Sequence, residues 1–466
     1  MPPSIATLIC IIGIVGLFAL DRKLNAQTSK ALWIPIIWVI INGSRPVSMW
    51  LGVAPEFVSA QAYFEGSPLD RNIYICLLVV GLIVLFGRMK QFGALLRANG
   101  LIMLFFFYSA LSMFWSDYPF VTFKHWIKGV GDIVMAFVVM TESDLPAAMK
   151  RMVSRVGFLL LPISVLLCKY YPTSGRLLTH SWTVEYVGVT TQKTSLGTLC
   201  LVLGLGLVWR FRATYRDRGD AQRSRRLVAV GSVIGSVIWL FWASDSMTSL
   251  SCFIMASGVM VLAGGPKLAR RASVVHVLVI AMLGVSIFAL FFDTGGDLIQ
   301  NLGRDATLTG RTAIWREVLT IPINRWVGTG YESFWLGPRL EKMWTLADFD
   351  VNEAHNAYLE IYLNLGWIGI ALLAVLVATG YRSAIAAYRL DPDYGSLRVA
   401  YFVAVLIFGL TEAAFRMLGL TWFFFLLGIA AIPKRLALTT DTRADLAQSQ
   451  VQVDPLFRLE RLRVRH

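Results

Sequence analysis

Residues 195–209 read SLGTLCLVLGLGLVW, residues 210–226 RFRATYRDRGDAQRSRR, and residues 227–243 LVAVGSVIGSVIWLFWA. Two uncharged apolar runs thus flank a linker that holds seven arginines. A bilayer core takes roughly 20 apolar residues in a helix, and Lys and Arg collect in cytoplasmic loops. The stretch predicts two membrane helices joined on the cytoplasmic side.

The pattern extends in both directions. Apolar runs occur at 4–20, 31–50, 73–87, 100–116, 126–140, 153–168, 195–209, 227–243, 247–263, 273–292, 355–380, 398–414 and 417–432. They predict an all-α polytopic transmembrane bundle of 12 or 13 helices. Alternate loops are basic: Arg22, Lys23 and Lys30; Arg88, Lys90 and Arg97; Lys150, Arg151 and Arg155; Lys267, Arg270 and Arg271; Arg382 and Arg389; and the tail with Lys434 and Arg435. Intervening loops are poorer in Lys and Arg or carry acids such as Glu56, Glu65 and Asp70. The expected organisation is ten transmembrane helices over 1–292, a periplasmic loop over 293–354, C-terminal transmembrane helices over 355–432 and a cytoplasmic tail over 433–466. The tail reads as a surface helix around Leu456, Phe457, Leu459 and Leu462.

Composition agrees. Hydrophobic residues make up 56% of the 466 and charged residues 15%, against about 25% charged in soluble domains. That excludes a disordered chain, a collagen and a small disulfide module, and counts against a soluble enzyme. The net charge of +14 reads as orientation in the membrane and is no nucleic-acid signal. Cys10, Cys76, Cys168, Cys200 and Cys252 lie in or beside apolar runs without metal-ligand spacing, so they read as packing residues.

The 293–354 loop stands apart. Its nine acids and six bases give −3, against the sign of the chain, and a loop this long is usually functional. Trp315, Trp326, Trp335 and Trp344 read as interfacial anchors or as sugar-stacking platforms. Thr312 to Thr320 reads as a short amphipathic helix with Ile314, Trp315, Val318 and Leu319 on one face.

Ionisable groups near membrane depth are functional candidates. Of five histidines, His276 reads as structural, His125 and His180 as polar surface, and His466 is terminal. His355 follows the loop in Asn352-Glu353-Ala354-His355-Asn356-Ala357-Tyr358. At a helix start the dipole disfavours imidazolium, which predicts a neutral base. Gly310-Arg311-Thr312, with Arg304 and Arg316 nearby, offers planar forks for phosphate or, as ordinary loop arginines, partners for Asp305 and Glu317. Lys193 in Gly188 to Gly197 combines a cation, hydroxyls and a helix start, or else snorkels at the membrane boundary. Ser244-Asp245-Ser246-Met247-Thr248-Ser249 reads as a polar turn.

Gly310-Arg311-Thr312-Ala313-Ile314-Trp315, Gly328-Thr329-Gly330-Tyr331 with Phe334, and His355-Asn356-Ala357-Tyr358-Leu359 with Gly366 and Gly369 together resemble the O-antigen ligase and polymerase superfamily. Gln192 to Gly197 resembles the Lys-Asn-x-Leu-Gly segment of its exopolysaccharide polymerase branch, with Thr194 in place of Asn. Ser244 to Ser249 looks like that branch's Ser-x-Ser-x-Thr turn, with Met247 where a basic residue is frequent. The resemblance covers roughly 185–430.

The resemblance implies a metal-independent membrane glycosyltransferase with no cofactor, taking a polyprenyl-pyrophosphate-linked glycan as donor. The acceptor would be another glycan repeat for a polymerase, or lipid A core for a ligase. It further implies that Arg311 binds the pyrophosphate, that His355 activates or orients the acceptor hydroxyl, and that Lys193 adds a cation. Arg304, Arg316, Asn356 and Tyr331 join them as candidate substrate contacts. The polymerase is favoured. Expected partners are membrane lipids and a chain-length regulator, without nucleic acid, and the expected place is the bacterial inner membrane with a periplasmic site. A lipid-linked-glycan transporter or flippase, and a non-catalytic export scaffold, are the alternatives of other classes.

Overall fold

The computed structural model describes residues 1–21, 28–53, 67–179, 182–265, 272–291, 311–346 and 351–433. Arg304, Gly310, His180, His466 and the tail from 434 lie outside the described residues.

Each of the thirteen apolar runs falls on a helix. In chain order the helices are α1 (Pro3–Leu20), α2 (Trp33–Asn42), α3 (Pro68–Gly87), α4 (Met89–Ala98), α5 (Gly100–Leu111), α6 (Pro119–Met140), α7 (Leu145–Tyr170), α8 (Lys193–Arg216) and α9 (Arg223–Ser244). They continue as α10 (Met247–Ala263), α11 (Ala272–Phe291), α12 (Arg311–Thr320), α13 (Gly337–Leu346), α14 (Ala357–Leu390), α15 (Pro392–Phe408) and α16 (Leu420–Ile429). One antiparallel hairpin, β1 (Arg176–Leu178) with β2 (Val184–Tyr186), pairs Arg176 with Tyr186. Nothing in the sequence pattern pointed to it.

Among the described residues, six helices are long and apolar enough to cross a membrane: α1, α3, α7, α8, α9 and α14. The pair α4 and α5, bent by 81°, makes up to seven. The chain is a multi-pass helical membrane protein. The apolar helices α15 and α16 are shorter because they pack on protein, where bilayer thickness does not set length. α16 has ten residues, all of them buried, and α15 is buried from Tyr394 to Phe408. A helix apolar on every side belongs at a centre. α15 packs against α8, α10, α14 and α16, while α1 and α3 present Ile5, Ile12, Val79 and Ile83 outward.

The described part of the 293–354 loop has a core of its own. Ile314, Val318, Ile321, Phe334, Trp335, Leu340, Met343 and Val351 pack together with Ala354 and Leu363. α12 starts at Arg311, close to the predicted segment, but Leu319 is exposed and leaves the apolar face to Ile314 and Val318. Three of the four tryptophans spend their indole N–H inside this fold. Trp315 donates to the Ala354 carbonyl at 2.7 Å, Trp335 to the Glu360 carboxylate at 2.9 Å, and Trp344 to the Val351 carbonyl at 3.1 Å. Only Trp326 of the four stays exposed, so neither the anchor nor the platform reading holds for the other three.

This lobe is fastened to α14 at a kink. Gly366 adopts φ 64°, ψ −164°, a region essentially open to glycine alone. The break frees carbonyls and amides of α14 for the loop. Thr329 N–H donates to Leu363 O and Gly330 N–H to Asn364 O, while Trp367 N–H donates to Arg325 O at 2.9 Å. The Asn364 side-chain oxygen accepts from the Ser333 and Phe334 amides. A Cβ on Gly366 would lie 2.3 Å from the Trp326 carbonyl. Gly366→Ala is expected to loosen the lobe, with strain of about 1–3 kcal/mol before any clash. The check is a lower melting temperature and faster proteolysis within 311–346, with Gly13→Ala, which meets nothing within 4 Å, left like wild type.

Candidate active site

α15 stops at Phe408 and α16 begins at Leu420. The sequence runs 398–414 and 417–432 had merged this break into helices. The non-helical stretch between Gly409 and Gly419 holds Glu412 and Arg416. Four bonds shape it. Gly409 O accepts from Ala357 N–H at 2.8 Å, and Leu410 O from the Asn356 side-chain amide at 3.1 Å. Leu406 O accepts from the Tyr358 hydroxyl at 3.0 Å, and the Leu418 N–H donates to Asp132 at 2.8 Å. Asn356 also caps α14, its oxygen accepting from the Tyr358 and Leu359 amides. Its polar atoms are spent on holding His355 in place. His355 itself precedes the helix at φ 48°, and Glu332 (52°) and Leu418 (58°) share that left-handed conformation. Non-glycine residues held there concentrate at functional sites.

The side chains converge into one charge network. Arg311, first residue of α12, pairs with Glu412 Oε1. Glu412 Oε2 lies 3.1 Å from His355 Nδ1, and Glu353 Oε1 lies 3.1 Å from the same nitrogen. Glu353 Oε2 then meets Arg416 at 3.2 Å, and Arg416 reaches Glu332 at 3.6 Å. Glu412 is the most enclosed member, its side chain 6% exposed. Burial alone pushes His355 down, but its hydrogen bond to Glu412 and the charges of Glu353 and Glu412 outweigh both burial and Arg311 and hold it above the usual histidine value. The expected downward shift from the helix start is therefore corrected: His355 does not occupy that start, and the two carboxylates in contact dominate. Burial raises Glu332, with Arg416 and the Met417 amide opposing.

Glu353, His355 and Glu412 each offer a ligand atom within 4.8 Å of the others, as a metal site would. The second oxygens of both carboxylates already meet arginines.

A cavity of about 470 Å³ opens beside the network, bounded by Glu353, Glu412 and Arg416 on one side and by Asn42 to Pro46 and Thr190 to Thr198 on the other. Other candidates lie elsewhere. Lys193 pairs with Glu185 at 2.6 Å and is 41% exposed. Arg316 is exposed on α12. Tyr331 is buried, its N–H on Ser112. His125, expected at the surface, bonds the Glu332 carbonyl at 2.9 Å. His276 meets the Tyr381 hydroxyl at 2.6 Å, a structural role. The two weaker motif segments pack on each other: a Cβ on Gly197 would lie 2.6 Å from Ser246 and Ser249 Oγ.

Residues 186–374 match the O-antigen ligase family. The chain is also 25% identical over 293 residues to "Exopolysaccharide production protein ExoQ" of Rhizobium meliloti (strain 1021), which covers 60% of this chain and 64% of that protein. The chain thus spans just under two thirds of the length of that relative. The matched segment contributes Arg311, Glu332, Glu353 and His355, while Glu412 and Arg416 come from beyond it. Sequence reasoning passed over these two and Glu332, and left Glu353 without a role. The usable signal was a carboxylate and an arginine inside an apolar stretch, bracketed by Gly409 and Gly419.

A group whose folded value is raised binds its proton more tightly than in the unfolded chain. The stability from His355 protonation is complete below about pH 6.5 and fades as pH rises through the higher folded value. In protein with ¹⁵N-labelled histidine, the NMR titration midpoint of His355 is expected above 6.5, and Glu353→Gln is expected to lower it. A wild-type midpoint below 6.5 would contradict the geometry.

Proposed function

We propose that the protein is a glycosyltransferase of the bacterial inner membrane that joins polyprenyl-pyrophosphate-linked oligosaccharides at the periplasmic face. The observation that carries this reading is the convergence of Arg311 and His355, 44 positions apart in sequence, on the single carboxylate of Glu412. Polymerisation of exopolysaccharide or O-antigen is favoured over transfer to lipid A core, because the named relative is an exopolysaccharide production protein. A flippase is disfavoured because Arg311, Glu332, Glu353, His355, Glu412 and Arg416 gather into one network around the loop and the α15–α16 break. The basic loops support a periplasmic site.

The chemistry follows from the network. Glu353 and Glu412 accept at Nδ1 of His355, which leaves Nε2 as the basic nitrogen for substrate. A raised value makes that nitrogen a stronger base. Nε2 takes the proton of the acceptor hydroxyl as its oxygen bonds to the anomeric carbon of the donor. The bond from that carbon to the pyrophosphate oxygen breaks, and the polyprenyl pyrophosphate departs with its electron pair. Arg311 answers the negative charge growing there, and the reaction draws on the sugar–pyrophosphate bond, so neither nucleotide nor metal enters.

His355→Ala is expected to cut transfer by about 10²–10⁴-fold and Arg311→Ala by about 10²–10³-fold, with EDTA without effect. The assay is polymer formation by purified, correctly inserted protein. Full activity in either variant sinks the residue assignment, and loss on chelation sinks metal independence. A deletion strain separates the two acceptors: single repeats left on the lipid A core mean polymerase, and loss of all attached glycan means ligase.

A further inference from the structure

The cavity beside the network has two chemically different walls. Glu353, Glu412 and Arg416 form the charged one. The opposite wall, from the end of α2 and the turn into α8, carries hydroxyls and amides: Asn42, Thr191, Gln192, Thr194 and Ser195. Among the described residues, the side chains of Thr191, Gln192, Thr194 and Ser195 make no hydrogen bond within the protein. The Asn42 amide is half used. Its oxygen accepts from the Tyr74 hydroxyl at 2.8 Å, and its buried nitrogen is left without a partner. Thr191 and Gln192 are exposed and Thr194 and Ser195 half-buried, so their hydroxyls and amide are open to a ligand in the cavity.

Both basic residues near this wall are committed elsewhere. Lys193 is held by Glu185. Arg45 donates to the carbonyls of Thr190 at 3.1 Å, of Gly188 at 2.8 Å and of Ser174. The Arg45 bonds fix the Gly188–Thr190 turn, so α8 starts with its first polar side chains facing the cavity. The result is a preorganised surface rich in donors and acceptors and free of charge. Phosphate would call for cations here. Sugar hydroxyls, which both donate and accept, match Ser, Thr, Asn and Gln.

We infer that the wall of Asn42, Thr191, Gln192, Thr194 and Ser195 is the subsite for the acceptor glycan, and that it reads an uncharged, unphosphorylated sugar. This rests on the transferase reading above. Arg311 contacts Glu412 but is not among the residues that line the cavity. A sugar on the hydroxyl wall would direct a hydroxyl across the cavity toward Glu412 and its partner His355. The inference also narrows the acceptor, because a phosphorylated lipid A core sugar would meet no cation on this wall.

The test uses the full chain in nanodiscs without donor, so that no turnover occurs. The probes are the repeat-unit oligosaccharide freed from its lipid by mild acid, and inorganic pyrophosphate. The oligosaccharide is expected to bind wild type and to weaken about 10- to 30-fold in Gln192→Ala/Ser195→Ala, at about 1 kcal/mol for each lost bond. Pyrophosphate is expected to bind both alike and to be lost in Arg311→Ala. Absent oligosaccharide binding, an unchanged affinity in the double variant, or weakened pyrophosphate binding there would each overturn the subsite. Matched circular dichroism and melting curves ensure that the double variant is folded, and Gln192→Lys, expected to gain pyrophosphate affinity and lose the sugar, gives a second reading. If wild type binds the sugar at this wall yet forms no glycosidic bond from lipid-linked donor, the transferase reading fails and the subsite stands.

Discussion

Glu412 is a carboxylate set into a largely apolar helical bundle, and it is tolerated because Arg311 and His355 meet it. An isolated buried charge costs several kcal/mol, and removing one partner of a buried pair costs about 3–5 kcal/mol. Much of the local architecture serves that encounter. The bundle centre is interrupted between α15 and α16 to carry Glu412. The loop lobe folds on its own small core so that α12 begins with Arg311 at the right place. The α14 kink at Gly366 offers the backbone groups to which the lobe is fastened, and Asn356 caps α14 so that His355 sits just outside the helix.

The same constraint explains the divided origin of the site. The segment similar to the O-antigen ligase family brings the lobe and the histidine, and α15 with the following break brings the carboxylate that joins them. Each half alone would leave charges unpaired in a poorly hydrated place. The network runs on through Glu353 and Arg416 to Glu332, so its charge is balanced along its length and not at any one pair.

Fold class was legible because lipid imposes a coarse rule: apolar runs must be helices, and all thirteen runs are. Lengths and ends were less legible. α16 is ten residues because protein surrounds it, and Gly409 to Gly419 breaks a stretch that hydropathy merges into two helices. At the site, Arg311 and His355 stood out by residue type and by resemblance. Glu412 and Arg416 did not, because their meaning lies in a contact across 101 and 63 positions. The shift of His355 was misread for the same reason: a local rule about helix starts was outweighed by a carboxylate 57 positions away. Lys193 shows the reverse error, where a suggestive neighbourhood in sequence is satisfied by Glu185 nearby.

The central claim is that this network makes glycosidic bonds. The most direct measurement is mass spectrometry of proteoliposomes that hold only the purified protein and lipid-linked oligosaccharide repeats. The account predicts products one and more repeats longer, with free polyprenyl pyrophosphate released in equal number. Movement of unextended repeats across the bilayer, with no new bond and no released carrier, would contradict it.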